Sequence, residues 1–140
     1  MPSSRFAFAA VVINNKILAI GGAGYRYSGF KNFDVVEIYD PAKNIWANAG
    51  FNTPWPAAGL GAFEYNEKLC IAGGKSDNTV EDRFVYFDPL SNQWQWIELP
   101  KLSSGRIVMG TAKIDNTLYL IGGRGPDGKT PVATVEAIDL

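Results

Sequence analysis

The chain contains no histidine and a single cysteine among its 140 residues. The first absence excludes a Ser-His catalytic pair and zinc sites of the usual types from this stretch, and a single cysteine excludes a disulfide framework. That cysteine, Cys70, lies in an apolar run, where a buried strand residue is the expected role and a reactive thiol the alternative. The sequence therefore predicts no cofactor and no metal site.

Excess charge and long apolar segments are also missing. Thirteen basic and fourteen acidic residues leave a formal charge of −1, without the positive excess that nucleic-acid-binding proteins usually carry. No run of about eighteen apolar residues could cross a membrane. The apolar stretch 6–20 is interrupted by Asn14, Asn15 and Lys16, so it predicts a hairpin rather than a secretory leader. Neither nucleic acid nor a membrane is expected as a partner, and a cytoplasmic location is favoured.

The chain does contain one segment repeated three times. Each copy has two apolar runs joined by an Asn- or Asp-containing pair, which predicts a β-hairpin of strands a and b buried on both faces. A repeat period near fifty residues is typical of a propeller array, in which each small sheet needs neighbours to bury its faces. In each copy the second apolar run ends in a double glycine: Gly21-Gly22, Gly73-Gly74 and Gly122-Gly123.

A third strand, c, is predicted after each double glycine, and a conserved spacing then follows in two of the copies. Asp-Pro-x-x-Asn-x-Trp begins at Asp40 and again at Asp88, which predicts a tight turn before an outer strand, d, opened by the tryptophan. We expect Tyr39, Trp46 and Trp94 to form core between neighbouring sheets. The third copy reaches Leu140 without the Asn-x-Trp motif.

The double glycines, the segment Glu37–Pro41 and the Asn-x-Trp motif resemble the kelch-repeat family over essentially the whole chain. The resemblance implies an all-β, partial kelch-type propeller with four-stranded antiparallel blades. Blade 1 is expected at about 5–50, blade 2 at about 57–100, and an incomplete blade 3 at about 106–140. Three blades cannot close a ring and leave two apolar faces open. We therefore expect either a piece of a longer chain or a homodimer that closes a six-bladed ring.

The same resemblance implies a protein-interaction module that binds through its b–c and d–a loops. The b–c loops differ most between copies, as binding loops on a repeated scaffold do, and the first is rich in aromatic residues. Arg5 and Arg106 precede strand a at matching positions, where the resemblance implies a grip on an acidic peptide and a structural salt bridge between blades is the alternative. The candidate binding residues are Arg5, Tyr25, Arg26, Tyr27, Lys75, Arg106 and Arg124.

A carbohydrate-active enzyme resembling a sialic-acid mutarotase is the rival hypothesis. Its acidic groups would be Glu64, Glu81 or Asp82 near the mouth of the propeller, with the site completed by further blades. Trp55 and the segment 94–97 are also aromatic enough to suggest stacking on a sugar.

Overall fold

The computed structural model of the protein describes residues 1–88, 90–91, 96–98 and 101–140 and contains fifteen β-strands. The first six are β1 (Ala9–Ile13), β2 (Lys16–Ile20), β3 (Ala23–Arg26), β4 (Gly29–Asn32), β5 (Val35–Asp40) and β6 (Ile45–Asn52). The next six are β7 (Gly61–Tyr65), β8 (Lys68–Ala72), β9 (Lys75–Ser76), β10 (Thr79–Val80), β11 (Phe84–Phe87) and β12 (Trp96–Glu98). The last three are β13 (Gly110–Ile114), β14 (Thr117–Ile121) and β15 (Val135–Asp139).

Three antiparallel sheets follow one another along the chain. Blade 1 has the strand order β1-β2-β5-β6, blade 2 the order β7-β8-β11-β12, and blade 3 the order β13-β14-β15. The first strands of the blades, β1, β7 and β13, contact one another in that order, as inner strands do around a propeller axis. The predicted all-β, partial propeller with four-stranded antiparallel blades is confirmed. In blades 1 and 2 the b–c segments, expected to be loops, instead form the hairpins β3–β4 and β9–β10.

Each a–b hairpin closes with a two-residue turn, as the polar pairs predicted. In blade 1, Ile13 pairs with Lys16, and the intervening Asn14 and Asn15 have φ angles of 49° and 60°. Asparagine tolerates this left-handed region better than most residues, and it matches the twist of the flanking strands. The turn residues therefore fix the register in which β1 meets β2.

The Asp-Pro motif also forms the expected turn. Asp40 Oδ1 accepts a hydrogen bond of 3.0 Å from the Ala42 N–H, and Asn44 has a φ angle of 53°. The outer strand β6 then begins at Ile45. In the second copy Asp88 Oδ1 accepts from the Leu90 N–H at 3.0 Å, whereas Trp94 lies outside the described residues.

The core lies between blades and is divided into two clusters. The cluster between blades 1 and 2 contains Val11, Ile13, Leu18, Ile20, Val36, Trp55, Ala57, Leu60, Leu69, Ile71, Val85 and Phe87. The cluster between blades 2 and 3 contains Phe63, Cys70, Ala72, Phe84, Leu102, Leu118 and Leu120.

The prediction that Tyr39 and Trp46 are core between blades is wrong in this structure. Their rings pack on each other at 5.1 Å, but both are half-buried and belong to neither cluster. The equivalent of Tyr39 in blade 2, Phe87, is buried because it stacks on Phe51 of blade 1 at 4.0 Å. Among the described residues no blade packs on this face of blade 1, so no neighbouring blade covers Tyr39.

No helix among the described residues is long and apolar enough to span a membrane. Within the same residues, no group of three or more Cys, Asp or Glu side chains is arranged to hold a metal ion.

Trp55 and Trp46 give a direct test of this core. Trp55→Ala should lower the free energy of unfolding by about 3–5 kcal/mol, because the buried ring leaves a cavity. Trp46→Ala should cost only about 1 kcal/mol, since it removes one aromatic contact at a half-buried site. Urea unfolding followed by circular dichroism measures both, and equal costs would contradict the assignment of Trp55 to the core.

Cys70 gives a second test. Its burial raises the pKa of the thiol to about 12, so in the folded chain the reactive thiolate at pH 8 falls about 10³-fold below that of an ordinary cysteine. We expect a thiol-specific reagent to label the chain promptly in urea and only at the rate of unfolding in buffer. Prompt labelling in buffer would show that Cys70 is accessible.

Candidate functional site

The b–c segments lie together at one end of the propeller. The residue after each double glycine forms an isolated bridge with the chain that enters strand a: Ala23 with Phe6, Lys75 with Ala58, and Arg124 with Ile107. Ala23, Lys75 and Arg124 therefore occupy equivalent positions in the three blades. We call this end the b–c rim, defined as residues 23–32, 75–80 and 124–131 together with Phe6.

An exposed aromatic cluster occupies the blade 1 part of the rim. Tyr25 and Phe30 are cross-strand partners in the hairpin β3–β4, and their rings meet edge to face at 5.5 Å. Phe6 packs on Phe30 at 6.0 Å. Tyr25, Phe30 and Phe6 are 77%, 52% and 54% exposed, and Tyr27 at the hairpin tip is fully exposed. The hairpin thus holds apolar rings in water, which is typical of an interaction surface.

Basic side chains from the three blades lie on the same rim. The Arg26 guanidinium lies over the Phe33 ring at 4.4 Å from its centroid, which holds it beside the hairpin. The Asn32 side chain donates a 2.9 Å hydrogen bond to the Lys75 carbonyl, linking the hairpin to blade 2. Arg26, Lys75 and Arg124 are exposed, and none of them forms an ion pair with a described residue.

Arg5 lies inside blade 1 rather than on the rim surface. Its Nη1 donates to the carbonyls of Gly21 and Val35 at 2.8 and 3.0 Å, and its Nη2 lies 2.9 Å from Glu37 Oε2, with the Arg5 side chain fully buried. Burial lowers the pKa of Arg5, and the ion pair with Glu37 acts in the opposite direction. The geometry is that of a structural salt bridge within one blade.

Arg106 repeats this arrangement in blade 3. It donates to the carbonyls of Leu120, Gly122 and Thr134 at 3.3, 3.4 and 3.2 Å, and its Nη2 lies 3.7 Å from Glu136. The side chain is 3% exposed. The alternative predicted from the sequence, a salt bridge between blades, is therefore wrong in its partner, because each arginine pairs with a glutamate of its own blade.

Blade 2 replaces both members of the pair at once. Ala57 stands at the position of Arg5, and Val85 stands at the position of Glu37. The Trp55 indole N–H instead donates to the Gly73 carbonyl at 3.3 Å, which is the carbonyl equivalent to those of Gly21 and Gly122. Trp55 is therefore a structural residue and does not present its ring for stacking on a sugar. Its side chain is buried, and the Arg83 guanidinium lies over the ring at 4.2 Å from the centroid.

The acidic residues of the rival enzyme hypothesis do not converge. Glu64 accepts from the Glu67 N–H at 2.7 Å in the a–b hairpin, at the opposite end from the rim, so its expected place near the mouth is wrong. Glu81 pairs with Arg83 at 2.7 Å, and Asp82 pairs with Lys101 at 3.5 Å.

A kelch motif family model matches residues 4–50. Kelch-like ECH-associated protein 1A of Danio rerio is 32% identical over 105 residues, covering 71% of this chain and 17% of the relative. Human Kelch-like protein 23 is 28% identical over 131 residues, covering 93% of this chain and 22% of the relative. The chain belongs to the kelch-repeat family.

The kelch chain spans about a fifth of the length of these curated relatives. A solved structure titled "Structure of YjhT" superimposes on 99% of the chain with a TM-score of 0.87, and the chain covers 50% of that protein. At 19% identity this likeness shows the fold alone. The kelch repeats and Kelch-like relatives support a protein-interaction module as the general class of function.

Two rim residues escaped the list of candidates drawn from the sequence. Phe6 looked like the start of an apolar strand run, but it precedes β1 and bridges to Ala23. Phe30 belongs to the aromatic-rich first b–c segment, but a segment expected to be a loop gives no reason to pair its ring with that of Tyr25. One pattern in the sequence does predict a short hairpin here: aromatic residues at 25 and 27 lie before Gly29, and Phe30 follows that glycine directly.

Blade 2 has Ala57 and Val85 at the positions of Arg5 and Glu37, which suggests a stability test of the Arg5–Glu37 ion pair. Arg5→Ala should cost about 3–5 kcal/mol, because it leaves the Glu37 carboxylate buried without its counter-charge. Arg5→Ala combined with Glu37→Val, which copies blade 2, should be less destabilised than Arg5→Ala alone. Denaturant unfolding of both variants measures this difference, and a double variant less stable than the single one would refute the pairing.

Proposed function

We propose that this kelch module binds an acidic peptide segment of a partner protein along the b–c rim. The observation that supports it most is the exposed aromatic cluster of blade 1, on a rim to which all three blades contribute basic side chains. Aromatic rings supply contact area at a low entropic cost, and guanidinium groups can bind a carboxylate through two hydrogen bonds.

The charge distribution supports an acidic ligand. The b–c segments contain Asp77 and Asp127 against five basic residues, which gives 5 − 2 = +3, although the whole chain carries −1. Hydrogen bonds from the Thr130 side chain and from the backbone N–H groups of Thr130 and Lys129 lower the pKa of Asp127 to about 2. That carboxylate is already bound within its own turn. The five basic residues are Arg26, Lys31, Lys75, Arg124 and Lys129.

The binding residues in this proposal are Tyr25, Arg26, Tyr27, Lys75 and Arg124, with Phe6 and Phe30 added from the structure. Arg5 and Arg106 are given a supporting role, because their guanidinium groups are occupied by carbonyls and carboxylates of their own blades. Both residues lie next to the glycine pairs from which the rim segments start, so they fix the base of the rim rather than contact the ligand.

Selection from a random displayed peptide library on the immobilised chain tests the proposal. We expect enrichment of peptides that contain Asp and Glu, and weaker binding at higher ionic strength. Arg26→Glu, Lys75→Glu or Arg124→Glu should each weaken an enriched peptide about 10-fold in fluorescence anisotropy, a loss of the size of an interface hot spot. Lys43→Glu changes an equally exposed charge on the c–d turn at the other end of blade 1 and should leave binding within about 2-fold.

Two further sets of variants test the acidic ligand and the aromatic cluster separately. Replacing Glu by Gln in the enriched peptide should weaken binding as much as charge reversal on the rim does. Tyr25→Ser with Phe30→Ser should also weaken binding about 10-fold, whereas Ile45→Ser, at an exposed site on β6, should not. Enriched peptides without acidic residues would overturn the ligand class, and binding unaffected by all rim variants would overturn the site.

A further inference from the structure

Adjacent blades are joined by two backbone hydrogen bonds at each junction, and a blade without a neighbour lacks these bonds. At the axis, the Gly59 N–H donates to the Ala7 carbonyl and the Val108 N–H to the Gly59 carbonyl, both at 2.8 Å. These bonds join equivalent residues of blades 1, 2 and 3. A second bond at each junction runs in the opposite direction, from Gly22 N–H to the Ala57 carbonyl at 2.8 Å and from Gly74 N–H to the Arg106 carbonyl at 2.9 Å.

The two ends of the chain carry the halves of one further junction. Among the described residues, the Ala7 and Gly123 N–H groups donate to no backbone oxygen, and the Arg5 and Val108 carbonyls accept from no described group. By the pattern of the existing junctions, Ala7 N–H matches the Val108 carbonyl, and Gly123 N–H matches the Arg5 carbonyl. The front end of blade 3 is therefore complementary to the back end of blade 1.

The apolar faces follow the same rule. Ile114 and Ile121 on the front face of blade 3 are 62% and 46% exposed, whereas their equivalents in blade 1, Ile13 and Ile20, are 8% and 0% exposed against blade 2. The back face of blade 1 exposes Phe8 in the same way, while its blade 2 equivalent, Leu60, is buried. Each exposed face is apolar because it has the composition of a blade junction.

The space beside the first glycine of each pair shows where a following blade would pack. A β-carbon on Gly21 would lie 2.6 Å from the Ala57 carbonyl oxygen, and one on Gly73 would collide with the Arg106 carbonyl oxygen. A β-carbon on the equivalent Gly122 would meet only Val132 O, at 3.5 Å. Gly122 has the same left-handed φ of 61° as Gly21, but in the described part of the chain no residue of a following blade occupies the space beside it.

We propose that a second copy of this chain occupies both ends at once and closes a six-bladed ring about a two-fold axis. The chain fills half of a solved chain of the same fold, so two such arcs complete the circle. A two-fold arrangement brings blade 3 of each copy against blade 1 of the other, and the complementary ends meet twice. Each seam has three strands from blade 3, without the contribution that Ala49 and Phe51 make between blades 1 and 2, so the association is expected to depend on concentration.

Sedimentation equilibrium of the purified chain over a range of concentrations tests the proposal. We expect a monomer–dimer equilibrium that reaches twice the chain mass of 15.3 kDa. Gly122→Ala should weaken dimerisation at least 10-fold, because its β-carbon would meet the Arg5 carbonyl of the second copy. Gly50→Ala is the matched control, since Gly50 also has a left-handed φ, 83°, and open space around it.

A second pair of variants tests the proposal independently, in case Gly122→Ala does not fold. Ile121→Lys places a charge on the front face of blade 3 and should give a folded monomer, whereas Ile45→Lys, exposed on β6, should dimerise like the parent chain. A monomer at every concentration would overturn the proposal. Open-ended polymers would overturn the two-fold closure.

Discussion

The whole arrangement depends on how closely two blades approach at each double glycine. There the carbonyl oxygen of one blade lies where a β-carbon of the preceding blade would stand, and the next glycine N–H donates to that same oxygen. Only glycine combines the left-handed φ with the empty space that this approach needs. Because the inner strands are held together in this way, the apolar faces farther from the axis meet at a fixed angle and form the two inter-blade cores.

A second buried interaction holds the carbonyl of the first glycine from within its own blade. Arg5 and Arg106 do this with a guanidinium group paired to a strand c glutamate, and Trp55 does it in blade 2 with an indole N–H. The two solutions differ in electrostatic cost, since a buried ion pair must offset the desolvation of both charges. In all three blades this glycine carbonyl accepts a hydrogen bond from a side chain, and a charged donor is one way of supplying it.

Local patterns in the sequence predicted the features that a few neighbouring residues determine. The Asn14-Asn15 turn, the Asp40 turn and strands b and c of each blade followed from side chains whose preferences act over two to four residues, whereas the hairpins β3–β4 and β9–β10 did not. The roles of Arg5 and Trp55 depend on glycine carbonyls that lie 16 and 18 residues farther along the chain. The role of Trp46 depends on which blade lies opposite it, and no local pattern encodes either kind of contact. Tyr39 shows the limit clearly, because the same position is core in blade 2 and half-exposed in blade 1.

The rim and the blade junctions are linked through the same short segments. The residues that carry the rim leave the sheet directly after the glycine pairs, so the spacing between Lys75 and Arg124 around the axis is fixed by the bonds between blades. In the closed ring proposed above, the rim of blade 3 adjoins the rim of blade 1 in the second copy, which places Arg124 next to the other copy's aromatic hairpin. A peptide lying across that seam would contact rings from one copy and a guanidinium from the other, so ligand binding and ring closure would stabilise each other.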